Sequence, residues 1–235
     1  MTVGEKAKIL EIKRSKKFVD LYKEYYDEDI TRMSDDRIVK NSIIGIYNQY
    51  NKCLYSALSY YETSPDYFNI IGYGSLLKLS DAQRTMPSLK KVELGYIKGY
   101  RRIFNLYGST GNYLNVYHTD SQQPMPVGYM KISKDEIHDF AFRERRYTLE
   151  LTTLENGEDA LILLADNAWV DNSQPPILTY LLLCMTGAHE LGGYKVLNEF
   201  IKTTDTNFGS LQRWLETSDL NGVINYVVRN GHTSR

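Results

Sequence analysis

The placement of β-branched and aromatic residues constrains this chain most. From residue 66 to 165 they gather in short runs broken by glycine and asparagine, while both flanks carry helix-like spacing. The runs predict strands near Tyr67–Tyr73, Lys91–Ile97, Arg101–Leu106, Tyr113–His118, Pro126–Ile132, Tyr147–Leu154 and Asp159–Ala165. Gly108 and Gly111 mark turns, and Asn156-Gly157 suits a hairpin. One helix interrupts the strands: Ser133-Lys134-Asp135-Glu136 reads as a capping box ahead of Ile137, Phe140 and Phe142. A block of strands followed by a helical end predicts an α+β fold, a small mixed β-barrel with peripheral helices.

Residues 1–65 read as a helical N-terminal extension. Ile9, Ile12, Phe18, Leu21 and Tyr22 recur at helical spacing. A second helix is expected from Asp35-Asp36, with Ile38, Ile43, Ile44, Tyr47, Leu54 and Leu58 on its apolar face, ending near Ser64-Pro65. This section packs on the main domain or forms a homo-oligomer contact; the spacing does not choose. From Asn172 the chain reads as helical: a start at Ser173 and Pro175-Pro176, a break at Gly192-Gly193, then Tyr194–Lys202, Phe208–Glu216 and Leu220–Arg229. The expected organisation is an extension over 1–65, a domain over 66–204 and a helical tail over 205–235 packed on it.

Charge and composition remove several function classes. The net charge of −1 gives no global draw to nucleic acid or to an anionic membrane. No apolar run is long enough for a membrane span, and the lysine-rich start lacks the apolar core of a secretory signal. Cys53 and Cys184 sit in apolar helical patterns, which reads as reduced thiols in a cytoplasmic protein. His118, His138, His189 and His232 are dispersed, so no metal site is expected. Arg101 and Arg102 fall on opposite faces of a strand and read as solvated charge.

Two places carry chemistry. The run Tyr67–Leu77 stops abruptly at Gly72-Tyr73-Gly74-Ser75, a strand feeding a tight turn. Glycine admits positive φ and close approach, so such a turn can aim consecutive N–H groups at one anion. An ordinary strand-ending turn is the plainer reading. A nucleophile elbow is not, because Tyr73 and Leu77 stand where its glycines belong, and the lysine of a phosphate loop is absent. The other place is Glu144, among Arg143, Arg145 and Arg146. It is either part of a solvated charge cluster or, if held in a cleft, a general acid–base group with a raised pKa. Its arginine neighbours oppose that rise unless they point elsewhere.

In order along the chain, these residues resemble the gamma-glutamylcyclotransferase-like family. Tyr73-Gly74-Ser75-Leu76 is similar to its Tyr-Gly-Ser loop. Val127-Gly128-Tyr129 is similar to the strand before its catalytic helix, and Glu144 with Tyr147 to its glutamate and following tyrosine. Pro176, Tyr180, Gly187-Ala188-His189-Glu190-Leu191-Gly192 and Tyr194 resemble the C-terminal section of its free-standing members. Leu76 stands where many of those have asparagine, and Lys78 departs from the glutathione-specific branch. The resemblance covers about residues 67–204 and implies that a γ-glutamyl group cyclises to 5-oxoproline with loss of an amine or amino acid. It implies Glu144 as catalytic acid/base, and Tyr73, Gly74, Ser75, Leu76 and Tyr147 as substrate-binding residues, with no cofactor or metal. Its partner is then a small γ-glutamyl molecule: glutathione, a γ-glutamyl amino acid or a γ-glutamylamine. A silent binding module of the same fold is the alternative.

Overall fold

The apolar run before the glycine turn forms the middle strand of a sheet, β1 (Tyr67–Gly72). Phe68, Ile70 and Ile71 are fully buried, as a strand with neighbours on both edges requires. β5 (Met125–Ser133) pairs with it antiparallel and β7 (Asp159–Ala165) parallel. β2 (Glu93–Ile97) joins beyond β5 and β6 (Tyr147–Thr153) beyond β7, giving the order β2-β5-β1-β7-β6. β3 (Tyr100–Leu106), β4 (Tyr113–His118), β8 (Thr204–Thr206) and β9 (Gly209–Ser210) form a second sheet, ordered β4-β3-β8-β9. The sheets meet where the Asn115 side chain on β4 accepts a 2.8 Å bond from the Ala165 amide on β7. The fold is α+β, and its two mixed sheets do not close into one hydrogen-bonded ring. This computed structural model describes residues 1–61, 67–220 and 222–230.

Each expected strand forms, with ends within two residues of the sequence reading. The section after Asn172 departs from it, because β8 is a strand where only helices were expected. Thr204, Asp205 and Thr206 pair parallel with Arg102, Ile103 and Phe104. A strand this short has too few residues to show a period.

The N-terminal helices are α1 (Val3–Arg14), α2 (Lys16–Tyr26), α3 (Asp35–Lys40) and α4 (Ile43–Tyr61). The single helix expected from Asp35 is broken at Ser42, whose φ of 56° lies in the left-handed region. Its expected end at Ser64-Pro65 lies outside the described residues. Ile9, Phe18, Leu21, Ile38, Tyr50 and Cys53 belong to the same buried cluster as the strands. Phe18 lies 4.8, 5.4 and 5.7 Å from the rings of Tyr47, Tyr50 and Phe142. Phe142 belongs to α6 (Ile137–Arg143), and the Tyr50 hydroxyl sits 2.6 Å from His138 Nδ1 on that helix. The extension therefore packs on the helix whose end carries Glu144.

The capping box before α6 does not close. Ser133 Oγ accepts the Asp135 amide, but the Glu136 carboxylate turns to the Ser88 amide and hydroxyl at 2.7 and 2.6 Å. A single 3-10 turn, Lys134–Glu136, precedes α6. α7 (Leu178–Lys202) bends at Gly192 and Gly193, where the backbone is non-helical. Earlier in α7, a Cβ at Gly187 would sit 2.8 Å from the Lys78 amide, so glycine is needed for the helix to pass the Ser75–Leu77 turn. α8 (Leu211–Thr217) and α9 (Gly222–Asn230) follow.

Candidate active site

β1 ends at Gly72, and the chain turns through Tyr73-Gly74 into a 3-10 turn, Ser75–Leu77, and the short helix α5 (Leu79–Ala82). Gly74 is at φ −123° and ψ −125°, and neither Gly72 nor Gly74 has positive φ. The positive φ expected of these glycines is therefore not used. Close packing is the reason for Gly74: a Cβ there would lie 2.7 Å from the Tyr180 hydroxyl. Among the described residues no acceptor is found for the backbone N–H groups of Gly74, Ser75 and Leu76. Consecutive free donors at a turn can bind an anion where they converge.

Glu144 is the residue that ends α6; its amide donates to the Phe140 carbonyl at 2.9 Å. Tyr147 begins β6 three residues on. The fold brings Glu144 and Tyr147 together with Tyr73, Gly74, Ser75 and Leu76, and the six line one recess with Leu163 of β7 and Tyr180 of α7. The recess lies at the carboxyl ends of the parallel pair β1 and β7, where open sheets commonly bind ligands. It encloses about 20 Å³, enough for a single water. Nothing in the local spacing marks Leu163 or Tyr180 as site residues. Both arrive through the parallel pairing and the packing of α7.

Glu144 is 8% exposed. Burial raises its pKa, and the Arg143 guanidinium, with Nε 2.9 Å from Oε1, acts in the opposite direction. The net shift is upward. Arg143 also reaches Ser75 Oγ at 3.0 Å and Asp81 Oδ2 at 2.7 Å, tying the glutamate to the loop across the recess. The other arginines point away. Arg145 donates to the Phe142 carbonyl and the Tyr26 hydroxyl, and Arg146 donates to the Tyr107 carbonyl and covers the Trp169 ring. Arg143 opposes the rise by both contact and charge, and Arg145 adds a weaker opposing charge.

The phenols of Tyr73, Tyr147 and Tyr180 are pushed well above the usual tyrosine range, chiefly by burial. They stay neutral at physiological pH. Tyr73 donates to the Leu163 carbonyl at 2.6 Å and Tyr147 to the Leu114 carbonyl at 2.9 Å. Both rings are thus fixed as walls. Glu144 is the one carboxylic side chain lining the recess, and burial shifts its titration upward.

Arg102 is not the solvated strand charge expected from the sequence. It is fully buried behind the loop, with Nε 2.9 Å from the Tyr73 carbonyl. Arg101, on the opposite face, is bound through two nitrogens to Asp205. His118 pairs with Glu150 and does not line the recess. A second cavity of about 410 Å³ is lined by Glu24, Tyr25, Arg84, Thr85 and Arg143, and Arg143 is the residue that also contacts Glu144 and Ser75 of the recess. Glu24 and Tyr25 come from α2, so the extension supplies one wall. No group of three or more His, Cys, Asp or Glu among the described residues could hold a metal ion. None of the described helices is long and apolar enough to cross a membrane.

No family model matches the sequence, and no curated protein matches it. Solved structures do match. One named gamma-glutamyl cyclotransferase is 16% identical, covering 57% of this chain and 86% of its own, with a TM-score of 0.50. An uncharacterized protein from Homo sapiens is 17% identical over the same shares, also with a TM-score of 0.50. YkqA from Bacillus subtilis is 15% identical, covering 61% of this chain and 56% of that one, with a TM-score of 0.53. The chain has the gamma-glutamyl cyclotransferase-like fold.

Proposed function

We propose that this chain converts a γ-glutamyl group to 5-oxoproline and releases the attached amine or amino acid. The α-amine attacks its own γ-carbonyl, a C–N bond forms to close the lactam, and the bond to the departing nitrogen breaks. Glu144 takes the proton from the attacking amine and returns it to the leaving nitrogen. The amides of Gly74, Ser75 and Leu76 hold an anionic oxygen of the substrate or of the tetrahedral intermediate. The nucleophile is already tethered, so folding the substrate into its reactive conformer supplies much of the acceleration.

One observation carries this reading: a buried carboxylic side chain with a raised pKa lines the same recess as three consecutive residues whose amides have no acceptor among the described residues. The recess must widen to admit a glutamyl head, and the Tyr180 hydroxyl, packed over Gly74, is the group to withdraw. The larger cavity beyond Arg143 has room for the departing half.

The tight recess also favours a second reading, a binding module that does not turn over. The test is 5-oxoproline release from a panel of glutathione, γ-glutamyl amino acids and γ-glutamylamines. Release from at least one compound supports the enzyme. Binding without release establishes the second reading, and the panel also reports which leaving group is preferred.

A further inference from the structure

Arg102 is a buried cation without a counter-ion. Its guanidinium bonds only neutral acceptors: the Tyr73 carbonyl and Thr203 Oγ1, both at 2.9 Å, and the Pro126 carbonyl. The Phe200 ring covers it, 4.6 Å from Cζ. Among the described residues no carboxylate lies within ion-pair distance of it, and the nearest acid along the strand pairing, Asp205, is taken by Arg101. Burial pulls its pKa down to about 9, which still leaves it charged at neutral pH. An isolated buried charge is costly, and folded proteins commonly match it with an opposite one.

The place where that charge acts is set by one peptide unit. No described peptide bond is cis, so the Gly74 N–H points away from the Tyr73 carbonyl that Arg102 holds. Arg102 thus fixes the orientation of the first free amide of the loop and polarises it from behind. We propose that Arg102 is a positioning residue whose missing counter-charge is the α-carboxylate of the glutamyl group, bound by the amides of Gly74, Ser75 and Leu76. The inference rests on the reading of the recess as a γ-glutamyl site. A carboxylate suits it because the α-amine and α-carboxylate share one carbon, so the amine can face Glu144 while the carboxylate faces the loop, and Glu144 and the loop residues line one recess.

The experiment compares binding of 5-oxoproline and its uncharged amide by calorimetry, for the wild-type chain, Arg102→Met and Arg102→Lys. The wild type is expected to prefer the acid. Arg102→Met is expected to lose roughly tenfold in affinity for the acid while binding the amide as before. Arg102→Lys, which keeps the charge, is expected to retain the preference. A structural role for Arg102 would weaken acid and amide alike. That outcome, or an unchanged preference in Arg102→Met, overturns the inference while leaving the γ-glutamyl reading in place. Wild-type protein that binds neither molecule overturns that reading and this inference together. If Arg102→Met does not fold, loss of the preference in a folded Arg102→Lys variant overturns the inference, and its retention supports it.

Discussion

Glu144 is pulled in opposite directions by burial and by Arg143, and the balance sets how it titrates. In the proposed reaction attack needs the ionised carboxylate, so kcat/KM should rise with pH through a midpoint above 4.5, the ordinary value for this group. Arg143→Met removes the guanidinium that favours the ionised form. The midpoint should then move to higher pH, and a pH–rate profile reads both variants. Gly74→Val should weaken substrate binding, because its side chain would collide with the Tyr180 hydroxyl; unchanged KM would count against the loop's role. The sequence made Tyr73, Gly74, Ser75, Leu76, Glu144 and Tyr147 legible through their order and types. It marked Tyr180 only as part of the C-terminal resemblance, not as a wall of the recess, and it did not reveal Leu163 or the burial of Arg102. Those follow from contacts between residues far apart in the chain, and local periodicity carries no such information.

At the scale of elements, α4 and α6 decide how dry Glu144 is. Phe142 sits among Phe18, Tyr25 and Tyr50, and Cys53 of α4 is close enough to Glu144 for the carboxylate to help raise its thiol pKa. Phe142→Ala should cost about 3–5 kcal/mol in chemical denaturation. It should also let water reach Glu144, moving the acid limb of the pH profile back toward 4.5. Strand positions were legible because alternating and continuous apolar runs have a short period. The strand β8 was not, and neither was the break at Ser42, which depends on one residue adopting a left-handed conformation.

For the whole molecule, the extension and the sheets share one buried cluster. Unfolding should therefore be a single cooperative transition. Hydrogen exchange should show amides of α4 protected to a similar degree as those of β1; much earlier exchange in α4 would separate the extension from the domain. The α+β architecture could be read from the division between helical and extended stretches. How the extension is used could not, since its apolar face would look the same packed on its own domain or on a second copy. The structure places that face inside the molecule, against the helix that ends in Glu144.

The most direct measurement is 5-oxoproline formation by the wild-type chain and Glu144→Gln, side by side, on the best γ-glutamyl compound of the panel. Wild-type turnover with a loss of about 10²–10⁴ in kcat for a variant that still folds and binds is the expected result. Equal turnover by the two proteins would contradict the role assigned to Glu144.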